Sequence, residues 1–103
     1  MAVLLLVGRY EHMGKAADEL LSGVGHRCII SLDLDDTMRR VAENAHDLVL
    51  IGPGLPPPQR DDVSEASIRS RPEVPVLHVL SRDDVTTLTD DIETALATRR
   101  NRT

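Results

Sequence analysis

Gly8, Arg9, Gly52 and Gly54 stand just beyond two apolar runs, residues 2–7 and 48–51. A run that is apolar at every position has both faces covered, as a strand of a parallel sheet between helices does. In such sheets the crevice beyond the carboxyl ends of the strands is where ligands and chemistry sit. Glycines there let backbone N–H groups approach a phosphate closely, and Arg9 adds a cation, so these four residues are the candidates for a small anion or nucleotide. The same glycines also serve as strand terminators, and neither a GxGxxG nor a GKS/T string accompanies them. No nucleophile or carboxylate occupies position 52, where an active group is expected.

Glu11, His12, Asp83 and Asp84 are the acids and base that could serve a catalytic role in that crevice. Helix capping and solvated loop charge account for them without chemistry. His26 and His46 fall in turns, which predicts exposure, whereas His78 falls inside an apolar run, which predicts a satisfied core histidine. No metal-ligand spacing joins them. Cys28 is the single cysteine, so an intramolecular disulfide and a cysteine metal cluster are excluded, and its apolar neighbours predict a small core residue.

The elements that must position these residues alternate along the chain. Residues 2–7 predict the first strand. Met13, Ala16, Ala17, Leu20, Leu21 and Val24 recur at the spacing of one helical face, with Gly23 and Gly25 as the stop. Residues 27–32 predict a second strand, Asp33 to Asp36 the acidic start of a helix, and Met38, Val41, Ala42 and Ala45 its buried stripe. After the central strand, Pro56, Pro57 and Pro58 predict a rigid exposed loop, followed by a short, loosely packed helix within residues 61–70. Residues 74–80 predict the fourth strand, and Val85, Leu88, Ile92 and Leu96 the face of a last helix capped by Asp83 or Asp84. Four strand–helix units with right-handed crossovers predict one α/β domain, a three-layer parallel sheet in the order 2-1-3-4.

Composition narrows the function classes. The chain has 103 residues, enough for one small core and too few for two. A net charge of -5 argues against a sequence-independent grip on nucleic acid, and the near absence of aromatics, Tyr10 alone, argues against base stacking. Arg99, Arg100 and Arg102 read as the solvated, dipole-compensating end of a helix. The opening apolar run is too short for a membrane span and lacks a signal-peptide pattern, so a soluble cytoplasmic protein is expected.

The strings AVLLLV, GHRCIISL, DLVLIGPGLPP and VPVLHVLSRDD, in this order, resemble the receiver (CheY-like) domain of bacterial response regulators. In that family the central strand ends in the phosphoacceptor aspartate, with Leu-Pro or Met-Pro three and four residues later, the spacing that Leu55 and Pro56 keep from Gly52. The resemblance therefore implies a phosphorylation site, and the residues depart from it. Gly52 replaces the nucleophile, Gly8 and Arg9 stand where acids hold magnesium, and Leu80 takes the hydroxyl position unless Ser81 does. The fifth strand and its lysine are missing. Phosphoryl transfer by that mechanism has no parts left, so no enzyme activity and no cofactor are expected.

A receiver fold that has lost its switch implies a protein-interaction or adaptor module, a degenerate pseudo-receiver, with the small-anion binder as the alternative. Without a fifth strand, the fourth becomes a sheet edge that carries no formal charge to protect it. Either the last helix folds across this edge or a second copy covers it; a homodimer is expected, with Val76, Leu77, Val79, Leu88 and Ile92 as the interaction residues.

Overall fold

Leu4 and Leu6 point to one face of the first strand and Leu5 and Val7 to the other, and each pair lies in a different hydrophobic core. This two-sided burial organises the computed structural model, which describes residues 2–43, 45–52, 54–79 and 87–101, the last three by backbone alone. The elements are β1 (Val3–Val7), α1 (Glu11–Ser22), β2 (Arg27–Ser31), α2 (Leu34–Glu43), β3 (Leu48–Ile51), α3 (Pro57–Ser70), β4 (Val76–His78) and α4 (Leu88–Asn101). The four strands are parallel in the order β2-β1-β3-β4, as the sequence predicts.

All four residues of β3 are buried, which is why an unbroken apolar run is tolerated there. Its Leu48 and Leu50 join Leu21 of α1 and Leu88, Ile92 and Leu96 of α4 in one core. Its Val49 and Ile51 join Val41 of α2 and Val63 of α3 in the other. Removing each such side chain from water contributes about 1.5–3 kcal/mol. Val3 N–H donates to Asp47 Oδ2 at 2.8 Å while Asp47 N–H donates to Val3 O at 2.7 Å, a reciprocal clasp that sets the register of β1 and β3.

Several expectations are corrected. The proline triplet is not a loop: Pro56 stands at the N-cap and Pro57 and Pro58 open α3, where the missing N–H groups have no intrahelical acceptor anyway. That helix runs 14 residues and buries Arg60, Val63 and Ser67, a helical stripe with one apolar member. Ile68 is exposed, off this stripe. In α2 the buried stripe is Leu34, Thr37, Met38 and Val41, and Ala42 and Ala45 face solvent. In α1 only Leu21 is fully buried; Met13, Ala16 and Leu20 are exposed, and Val24 lies in the turn beyond the helix. Gly25 closes that turn at φ +92°, a conformation that favours glycine.

The histidines are placed opposite to expectation. His26 and His46 are buried, and His26 Nε2 meets Glu93 Oε1 of α4 at 2.6 Å. His78 is exposed, because it lies at the end of a three-residue strand rather than inside a longer one. Leu80, Ser81, Asp83, Asp84 and Val85, together with Arg102, lie outside the described residues.

Candidate functional site

The strand exits form the crevice, and its backbone is largely engaged. Gly8 N–H donates to Ser31 O at 3.0 Å and Gly52 N–H to Val7 O at 2.7 Å, so both amides extend the sheet rather than face an open site. Gly54 lies beneath Tyr10: a Cβ added there would sit 2.8 Å from the Tyr10 ring and 3.4 Å from Arg9 Cβ. The close approach of this ring is what requires glycine at 54. Arg9 is exposed beside it.

The functional group that the sequence reading missed is Arg60. Although it is 8% exposed, its guanidinium reaches four acceptors from α3. Nε donates to Leu55 O at 3.0 Å, Nη2 to Gly52 O and to Val79 O at 3.1 Å, and Nη1 to His78 Nδ1 at 3.2 Å. Those partners belong to the exit of β3, the loop after it and the exit of β4. None is a carboxylate. Burial lowers the pKa of the guanidinium, yet arginine stays charged throughout the working range of a protein. A fixed cation therefore stands beside position 52. The only sequence signal was an arginine on the same helical face as Val63, and an apolar count ignores it.

The acids around the crevice are occupied or scattered. Asp36 Oδ2 accepts from Ser31 Oγ at 2.7 Å and from Arg40 Nε at 3.0 Å, and Oδ1 accepts from Arg39 Nη2 at 2.5 Å. The Arg39 bond first, then those from Ser31 and Arg40, hold its carboxyl well below the usual carboxylate range. Asp33 Oδ1 accepts from Asp36 N–H at 2.8 Å and caps α2, as its place in the sequence predicts. Glu11 pairs with Lys15 at 3.1 Å on the exposed face of α1. Among the described residues no group of three or more His, Cys, Asp or Glu side chains could hold a metal ion.

Cys28 is half-buried on β2, where burial first and neighbouring Asp18 second push its thiol up to about 11. Of the expected interaction residues, Val79, Leu88 and Ile92 lie in the chain's own core, and Val76 and Leu77 are half-buried. The face they were expected to share with a second copy is thus partly closed by α4 itself. What remains available at β4 is its outer backbone edge, since β3 is its only strand partner among the described residues.

No family model and no curated protein matches the sequence. Solved structures do match in fold. The receiver domain of the hybrid histidine kinase CckA superposes with a TM-score of 0.73 at 17% identity, over 91% of this chain and 98% of that one. NtrX from Brucella abortus, solved in complex with ADP, gives 0.73 at 19% identity over 98% of this chain and 28% of its own. The non-phosphorylated receiver domain of HemR from Leptospira biflexa gives 0.67 at 20% identity, over 86% of this chain and 75% of that one. The chain has an α/β receiver-like fold. No helix among the described residues is long and apolar enough to cross a membrane.

Proposed function

We propose that this chain is a pseudo-receiver: a cytoplasmic protein-interaction or signalling-adaptor module that works without phosphotransfer. The observation that carries the reading is the Arg60 guanidinium against Gly52 O and Val79 O. Here a resident cation joins the exits of the third and fourth strands through their backbone carbonyls. Such a cation also repels the magnesium ion that phosphotransfer needs. Arg9 in place of an acid and Gly52 in place of the nucleophile support the same reading. The anion-binding alternative is weaker by two donors, because the Gly8 and Gly52 amides are already bonded.

The adaptor acts as a homodimer formed along the outer edge of β4, whose half-buried Val76 and Leu77 carry no charge to oppose pairing of its outward backbone groups. Two measurements test the function. Incubation with acetyl phosphate and magnesium leaves the intact mass unchanged; a gain of one phosphoryl group overturns the reading. Partner capture with the purified domain returns the same specific proteins with and without acetyl phosphate, and the absence of any specific partner overturns the adaptor role.

A further inference from the structure

The exposed apolar residues of α1 border a cavity of about 230 Å³ between α1 and α4. Leu6, Ile30 and Leu50 of the sheet form its floor, Ala17 and Leu20 of α1 one wall, and Leu88 of α4 the other. The lining is almost wholly apolar. An apolar cavity of about 150 Å³ is already large enough to stay dry and to take up benzene, because water inside it would forfeit its hydrogen bonds. This one is larger, about 230 Å³, so an apolar body of ring or short-chain size fits it.

The mouth carries the chemical distinction. Arg9 and Tyr10 border the cavity together with Gly8, Gly52 and Gly54, and Arg9 has no hydrogen bond or ion pair among the described residues. In a chain of net charge -5, a cation set free beside an apolar hole is complementary to one kind of ligand. We propose that the cavity binds a small anionic amphiphile, its apolar body over Leu6 and Leu50 and its carboxylate against the Arg9 guanidinium. The mouth of this site is the strand-exit crevice itself, but the site needs neither phosphotransfer nor the β4 edge, so it stands or falls independently of the adaptor role.

The test uses octanoate and its neutral counterpart 1-octanol. The chain contains no tryptophan, and Leu20 is 41% exposed, so Leu20→Trp places a single indole at the cavity wall with little risk to the fold. Octanoate shifts the indole emission to the blue with saturation, and Arg9→Gln weakens its binding about fivefold while leaving 1-octanol unchanged. Ala17→Leu, which fills the cavity from α1, abolishes binding of both in the unlabelled protein as read by calorimetry, with the far-UV spectrum retained. Failure of octanoate to bind at millimolar concentration overturns the proposal. Equal binding of octanoate by wild type and Arg9→Gln overturns the assignment of the anionic group.

Discussion

Arg60 Nη1 donates to His78 Nδ1 at 3.2 Å, joining the first turns of α3 to the exit of β4. A guanidinium has donors only, so Nδ1 must accept and the His78 proton resides on Nε2. The same guanidinium serves three backbone carbonyls, which ties together the exits of both strands.

Arg60→Met is expected to destabilise the fold by about 2–3 kcal/mol, because it removes charge-assisted bonds and leaves buried carbonyls unpaired. Arg60→Lys recovers less than half of that, since one ammonium cannot span acceptors on three segments. Urea unfolding midpoints at constant slope check both. Equal stability of Arg60→Met and wild type refutes the role given to this residue.

The β4 edge yields a sharper test of the dimer. Val79 N–H donates to Ile51 O and Pro75 O accepts from Val49 N–H, so the backbone of odd-numbered residues faces β3 and that of Val76 and His78 faces outward. His78→Pro deletes an outward donor and is tolerated in an edge strand. His78→Ala loses the same Arg60 contact but keeps the donor. Light scattering at micromolar concentration is expected to show a dimer for wild type and His78→Ala and a monomer for His78→Pro. A monomeric wild type rules the dimer out.

Cys28 gives the alkaline limb of stability its direction. Its folded pKa is raised above the ordinary value of 9.0 to about 11, so the unfolded chain loses the proton first. The contribution is complete below pH 9 and declines as pH rises toward 11. Cys28→Ala should flatten that limb in melting curves recorded between pH 8 and 11. At pH 8 the folded thiol should react with iodoacetamide at least tenfold more slowly than in urea.

Strand order, both cores and the last helix were legible because their residues are apolar at every position or at clean helical spacing. Leu88, Ile92 and Leu96 are buried as their spacing requires. Legibility failed where polar residues carry structure. Arg60 and Ser67 occupy the buried face of α3, and Thr37 that of α2, positions that an apolar count scores as solvent. His26 is buried in a turn because α4 folds back over it, a long-range contact with no local signature. At the site, the empty places were legible, Gly52 and Gly8 above all, but the group standing beside them was not. Arg60 lies eight residues beyond Gly52, on a helix whose proline start resembled a loop.

The contact between His26 and Glu93 spans 67 positions and brings α4 down on the floor laid by β1. The largest core therefore lacks its cover until residues 88–96 have been made, since Leu4 and Leu6 meet Ile92 and Leu96 only then. During synthesis at about 5–20 residues per second, the nascent chain spends its time on the ribosome with β1 and β3 exposed on one face. The final step of folding therefore waits for residues 88–96, and a nascent chain stalled before Leu88 should remain sensitive to protease where one extended by an unstructured linker well beyond Leu96 is protected.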